Sequence, residues 1–228
     1  MSLKVVSKPA PYKYEICKII KDAIIEDRIS ENQVLNEQEY ADKLNVSRTP
    51  IREAFNLLYE NGWIRKSGRN YIVSPIIEKD IEEIFTIRVH NEKLALRLSF
   101  PKLDDIDFVS LDGILANMKK YSSRVMESVN GSEKDKLSYL NFDKKFHLSF
   151  SLLSGNERLY KMLLNLMEHF MRFGLISLRE KDRIEKSYYG HQKLLESIKK
   201  HDLEKAAYVL EKNINLGKVA LKRQCLLN

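Results

Sequence analysis

At 228 residues, with 43% hydrophobic and 31% charged side chains, the chain can bury one large core or two modest ones and lacks the apolar depletion that marks a disordered chain. The net charge of +7 suits a nucleic-acid partner, yet it is spread along the chain: 12 Lys and Arg face 10 Asp and Glu up to residue 75, and 27 face 22 beyond it, so charge alone locates no DNA face. Eight glycines and five prolines are few, runs rich in Leu, Ile, Glu and Lys dominate, and no repeat stands out, so the chain leans to helix.

The opening MSLKVVSKPAPYKYE lacks the apolar centre of a secretory signal, and no apolar run approaches the roughly 18 residues that cross a bilayer. Cys17 and Cys225 lie near opposite ends, as reduced thiols do in a cytoplasmic protein. The expected setting is the cytoplasm, with no membrane partner.

The first helix lies in YEICKIIKDAIIEDRIS, where Ile16, Ile19, Ile20, Ala23 and Ile24 recur at helical spacing. Asn36 is placed to cap a short second helix, EQEYADKLNV, with Glu39 three residues on as the return half of a capping box and Tyr40, Ala41 and Leu44 facing inward. Asn45, a residue that tolerates left-handed backbone, ends it. Ser47 is the expected cap of a third helix, with Pro50 in the first turn, where its missing N–H has no intrahelical partner to lose. That helix runs to Gly62. Two short β segments follow, Trp63 to Lys66 and Tyr71 to Val73, around a turn with Ser67 and Gly68, made basic by Arg65, Lys66 and Arg69.

Two helices joined by a tight turn, then a basic hairpin, predict a winged helix-turn-helix over residues 1–76. The second helix of such a motif offers its N-terminal residues to the major groove, here Ser47, Arg48, Thr49 and Arg52. Arginine bonds guanine bidentately, hydroxyls reach phosphate or base, and first-turn amides attract phosphate. Only at Glu53 does an acid appear. The alternative is a well-capped surface helix, or an adaptor that uses the wing to hold protein.

The run L-x-E-x-x-x-A-x-x-L-x-V-S-R-T-P-I-R-E-A-x-x-x-L-x-x-x-G from Leu35 to Gly62 resembles the signature of the GntR superfamily of bacterial transcription regulators. That resemblance implies operator contacts by the helix start and the wing tip, which fall here on Ser47, Arg48, Thr49, Arg52, Gly68 and the neighbouring Arg69. Gln38 occupies a place where many relatives have a DNA-reading arginine, so base preference is expected to differ.

Residues 77–228 read as an all-helical antiparallel bundle, with helices near 78–99, 104–127, 133–153, 156–179, 181–200 and 202–225 separated by SFPKLDD, VNGSEKD, LSGNERL and KHDLEKA. Met162, Met167, Met171, Leu163, Leu164, Leu166 and Phe170 are expected in its core, while His90, His169 and His201 are expected at the surface or in packing.

Within NFDKKFHLSF, Asp143 and His147 stand one helical turn apart on one face, a spacing that a hydrogen-bonded or surface pair shares with a metal site. His191 in YGHQKLLESI opens another apolar pattern, and imidazoles with a carboxylate suit zinc, nickel or manganese. Arg88 and Glu92 form a further i, i+4 pair, worth about 0.3 to 0.5 kcal/mol as a simple surface ion pair.

This domain resembles the FadR-type branch of the superfamily, with its C-terminal FCD helical domain. The resemblance implies a divalent metal held by one aspartate and three histidines, matched by Asp143, His147 and His191. Asn213 stands where the third histidine is expected. Either its amide oxygen is a weaker, harder ligand that shifts preference toward manganese or magnesium, or the metal is absent and Asn213 bonds a ligand directly. The same resemblance implies a homodimer, a double-stranded DNA operator, repression as the commoner outcome, and a small carboxylate effector clamped by Arg88. The rival reading is a metal-dependent hydrolase using Asp143, His147 and His191, for which the sequence offers no evident nucleophile or general base.

Overall fold

A computed structural model describes residues 12–128, 132–180 and 182–226, which fall into two compact units dividing between Ile76 and Ile77. The opening segment to Pro11, residues 129–131 of the VNGSEKD turn and Lys181, where a bundle helix was expected to begin, lie outside the described residues.

In the N-terminal unit α1 spans Tyr12–Ile25, α2 Glu37–Leu44 and α3 Arg48–Glu60. The buried face of α1 is Ile16, Cys17, Ile20, Ala23 and Ile24; Ile19, expected inside, is 42% exposed because it falls one step off that stripe. Asn36 caps α2 by accepting from the N–H groups of Gln38 and Glu39. Glu39 forms no reciprocal half of a capping box and instead pairs with Lys43 at 2.5 Å. Asn45 takes the left-handed conformation, φ 50° and ψ 48°, that ends the helix. In α3, Ile51, Ala54, Phe55 and Leu58 recur at the three- and four-residue spacing of one face and are fully buried.

The hairpin is β2, Ile64–Ser67, and β3, Asn70–Val73, joined through Gly68 and Arg69. A two-residue strand β1, Val34–Leu35, pairs antiparallel with β3 and completes a sheet of order β1-β3-β2. Sequence reasoning missed β1, since two residues carry no periodicity; tertiary pairing alone makes them a strand. Trp63 is buried beside these elements in the core of this unit.

The C-terminal unit holds α4 (Glu78–Ser99), a 3-10 turn at Phe100–Lys102, α5 (Asp105–Glu127), α6 (Glu133–Leu153), α7 (Glu157–Ser177), α8 (Arg183–Lys199) and α9 (Leu203–Leu226). Asp104, Ser132 and Asn156 cap α5, α6 and α7 with side-chain oxygens, and Asp104 with Asp107 makes a full capping box. Helix α4 packs on α6, α7 and α9, and α8 packs on α5 and α9, so the inward faces of α4, α6, α8 and α9 converge. Met167, Met171, Leu163 and Phe170 are core, as their spacing predicts, but Met162 is 45% exposed on the outer face of α7. His90 bonds the Thr86 carbonyl at the surface. No described helix is long and apolar enough to cross a membrane.

Candidate functional site

The start of α3 is open to an incoming anion. Ser47 has the extended backbone of an N-cap, but its hydroxyl makes no capping bond, which departs from the expected cap and leaves the first-turn N–H groups without that partner. The first turn has no acid. Ser47, Arg48, Thr49 and Arg52 are all exposed. Arg52 has no ion pair among the described residues, and Arg48 holds only a loose one, 3.5 Å from Glu37. Gln38 donates to Asp42 at 2.9 Å, one turn along its own helix. In the wing, Gly68 and Arg69 form the exposed tip, Lys66 lies over the Tyr59 ring, and Arg65 donates to Asn32 at 3.1 Å. The free positive charge therefore sits at the helix start and the wing tip, the two places a duplex would meet.

In the C-terminal unit, polar side chains gather where an all-helical bundle would ordinarily be apolar. Helix α4 supplies Arg88 and Glu92, α6 supplies Asp143 and His147, α8 supplies His191, and α9 supplies Asn213, every one of them buried. His191 lies inside α8, two turns beyond Arg183, as the helix expected near 181–200 places it. The i, i+4 spacing on α6 does bring Asp143 and His147 onto one inward face. His191 Nε2 lies 3.0 Å from His147 Nε2 and 3.2 Å from Asp143 Oδ1, while His147 Nε2 is 3.8 Å from Asp143 Oδ2.

Proton placement follows from what lies behind each ring. His191 Nδ1 is 2.7 Å from the Ser187 carbonyl and must donate to it, which leaves Nε2 as a lone pair. His147 Nδ1 lies against the Glu92 carboxylate, close enough for an ion pair though not aligned as a hydrogen bond, and that carboxylate favours a proton on Nδ1. Both Nε2 atoms then face each other as acceptors, with a carboxylate oxygen beside them. Three acceptors converging in a dry interior repel unless a cation joins them. Donors at right angles about an ion with bonds of about 2.1 Å would stand about 3.0 Å apart, which matches the nitrogen pair. The carboxylate and carbonyl behind the two imidazoles are the usual outer partners of metal-binding histidines. The residues present fit a divalent metal.

Asn213 completes the circle. Its Nδ2 is 3.2 and 3.4 Å from the two ring nitrogens of His191, and its Oδ1 is buried without a hydrogen bond. Turning the amide about its Cβ–Cγ bond would place the oxygen there instead. Gly190 makes room for it: a Cβ at that position would come within 2.5 Å of Asn213 Oδ1.

Electrostatics separate the charged groups from the neutral ones. Burial alone would raise the Glu92 carboxyl, but Arg88 and His147 outweigh it and bring it down to about 2. Burial pushes His191 down to about 4, with His147 and Arg183 acting the same way and Asp143 opposing. The Arg88–Glu92 contact of 2.5 Å is fully buried, so it is not the weak surface pair its spacing suggests. Arg88 also lies over Phe170, its guanidinium carbon 3.7 Å from the ring centre. Sequence reasoning missed Arg183, Ser187 and Phe170, which line the same cavity as Arg88, Asp143, His147, His191 and Asn213. A lone arginine at a helix start carries no local signal of burial.

Residues 13–71 match the gntR family of bacterial regulatory proteins, and residues 83–215 match the FCD domain. The chain is 29% identical over 204 residues to the uncharacterized HTH-type transcriptional regulator YdhC of Bacillus subtilis, spanning 88% of this chain and 87% of that one. It is 29% identical over 175 residues to the gluconate operon transcriptional repressor of Bacillus licheniformis, spanning 76% of this chain and 67% of the relative. Among solved structures, Escherichia coli McbR/YncC shares the fold with a TM-score of 0.77 at 17% identity, covering 95% of this chain and all of that one. A putative GntR regulator from Rhodococcus aligns with a TM-score of 0.68 at 19% identity over 92% of this chain and 97% of that chain. These relatives are regulators rather than enzymes, and the hydrolase reading finds no support among them.

Proposed function

The chain is a transcription regulator of the GntR family with an FCD domain, and from that premise we propose a homodimeric, ligand-responsive repressor of the bacterial cytoplasm. Residues 1–76 would bind operator DNA, and residues 77–228 would dimerise and sense a small carboxylate through a divalent metal. Repression is favoured by the likeness to the gluconate operon transcriptional repressor. Dimerisation has a physical reason: one winged helix reads few base pairs, and two related by a two-fold axis double the contacts on a palindromic site.

On the DNA side, Ser47, Arg48, Thr49 and Arg52 would make base or phosphate contacts, Gly68 and Arg69 backbone or minor-groove contacts, and Gln38 would lie beside them. Arg48→Ala and Arg52→Ala should each weaken binding to the protein's own upstream DNA by about 1 to 3 kcal/mol when a base contact is lost, or reduce the salt slope by about 1 when a phosphate contact is lost. Fluorescence anisotropy across a salt series distinguishes the two. Binding untouched in both variants refutes the helix assignment and favours the adaptor.

The observation that carries the sensing half is the pair of imidazole Nε2 atoms 3.0 Å apart beside Asp143, which the groups behind each ring favour as lone pairs. Asp143, His147 and His191 would hold zinc, nickel or manganese, and Asn213 would complete the set as an oxygen donor that tilts preference toward manganese. Such an ion supplies a Lewis-acid anchor for carboxylate oxygens. Glu92 and the Ser187 carbonyl fix the two ring tautomers, and Arg88 holds Glu92 charged. Effector binding here would be read at the DNA as a coupling of about 1 to 3 kcal/mol. The test is the metal content of untagged protein purified without chelators, against an Asp143→Ala, His147→Ala variant. Near-stoichiometric metal lost in the variant is expected. No metal in either protein after incubation with zinc, nickel or manganese refutes the metal reading.

A further inference from the structure

Helix α2 carries a polar pair whose place and donor pattern single out one kind of base. Gln38 stands in the first turn of α2 and Asp42 one turn on, both exposed, and the Gln38 amide nitrogen donates to Asp42 Oδ1 at 2.9 Å. Glu37, the residue before Gln38, lies 3.5 Å from Arg48 at the start of α3. That contact sets the first turn of α2 beside the first turn of the helix that would enter the major groove.

Charge argues that the pair meets a base edge and not the phosphate backbone. The other acids in the first turn of α2 are engaged, Glu37 with Arg48 and Glu39 with Lys43, whereas Asp42 has no ion pair among the described residues. A phosphate brought against that carboxylate would be repelled. A neutral base edge would not.

Asp42 also decides which base fits. An amide offers an acceptor oxygen and two N–H hydrogens, and a carboxylate only accepts, so the Gln38 amide cannot turn over without losing its bond to Asp42. With one hydrogen committed there, Gln38 keeps Oε1 as an acceptor and one hydrogen as a donor, side by side. Adenine presents the matching pair in the major groove, a donor at N6 next to an acceptor at N7. Guanine presents acceptors at both O6 and N7, cytosine only the N4 donor, and thymine an acceptor beside a methyl group. Each of these leaves half of the amide unmatched.

We propose that Gln38, oriented by Asp42, is a specificity-determining residue that reads an adenine in each half-site of the operator. This rests on the DNA-binding role proposed for the N-terminal unit. It adds the base that is read and the residue that aims the reader: Asp42 is a positioning residue and itself touches no base.

The test uses the full-length protein and a library of randomised duplex DNA, selected and sequenced, with the recovered site then varied one position at a time in competition anisotropy. Wild type should favour adenine over guanine by about tenfold at one position of each half-site. Gln38→Arg should turn that position to guanine, whose two acceptors suit a guanidinium, and Gln38→Ala should lose the preference, with the other positions unchanged in both. Asp42→Ala should lower the adenine preference about twofold at that position alone, and Asp42→Asn, whose amide oxygen can still accept from Gln38, should restore it. The same preferences at every position in wild type, Gln38→Arg and Gln38→Ala overturn the inference and leave DNA binding standing. So does a wild-type preference for any base other than adenine at the position these variants change. An adenine preference untouched in Asp42→Ala keeps the reader and overturns the part given to Asp42. If the wild type binds duplex but enriches no sequence, the inference fails alone; if it binds no duplex, the DNA-binding role fails and the inference with it.

Discussion

Replacing Glu92 by glutamine tests the buried polar cluster with the smallest change of shape. Glu92 bonds Arg88 at 2.5 Å and lies against His147, and all three side chains are about 2% exposed. Glutamine keeps the volume and an acceptor but removes the charge, leaving the Arg88 cation uncompensated in a dry interior. Breaking one partner of such a pair costs about 3 to 5 kcal/mol. The carboxyl gives a second route to the same number. Its folded pKa of about 2 stands roughly 2.5 units below the value of 4.5 for a free glutamate, at about 1.4 kcal/mol per unit, hence on the order of 3 kcal/mol. Because the folded value is depressed, this contribution is complete above about pH 4.5 and is lost as pH falls toward 2. Urea unfolding followed by circular dichroism, with a slope of about 2 kcal/mol per molar, should show the midpoint of Glu92→Gln lowered by about 1.5 to 2.5 M at pH 7. The gap from wild type should narrow as pH falls from 4.5 toward 2. The apolar double replacement Arg88→Met with Glu92→Leu should recover most of the loss, since neither charge is then buried alone. A single-variant shift below about 0.3 M at pH 7 would refute the reasoning.

Three further outcomes follow from the same cluster. His191, pushed down to about 4 by burial, titrates near 6.5 when unfolded, so the unfolded chain binds more protons between those values; metal-free protein should lose on the order of 3 kcal/mol as pH drops from 6.5 to 4, and a melting temperature flat across that window would contradict it. Gly190→Ala puts a Cβ within 2.5 Å of Asn213 Oδ1 and should destabilise by about 1 to 3 kcal/mol in chemical unfolding, an effect that Asn213→Ala in the same chain should relieve. Asn213→His exchanges a weak amide donor for imidazole and should raise zinc affinity about tenfold or more in competition with a chromophoric chelator; unchanged affinity would mean that position 213 does not reach the ion.

Much of the protein was legible in its order of residues because the signals are local. Asn36, Asn45 and Ser47 mark helix ends by side-chain and backbone preference, Ile51, Ala54, Phe55 and Leu58 mark a buried face by period, and Arg48 and Arg52 lie where a helix N-terminus meets a duplex. Asp143 and His147 share a face at i, i+4 whatever the surrounding fold. Tertiary structure decided the rest, because the deciding contacts join residues far apart in the chain. Val34 and Leu35 become a strand only by pairing with Tyr71 and Ile72. Ile19 and Met162 are as apolar as their buried neighbours, yet the angle at which each helix meets the core leaves them outside. His191 reaches His147 across 44 positions, and the bundle turns Glu92 from a surface-type pair into a buried charge that sets a tautomer. Arg183 shows the limit most plainly: nothing within several residues of it tells that its donors end in a dry cavity, since that depends on five helices closing around one point.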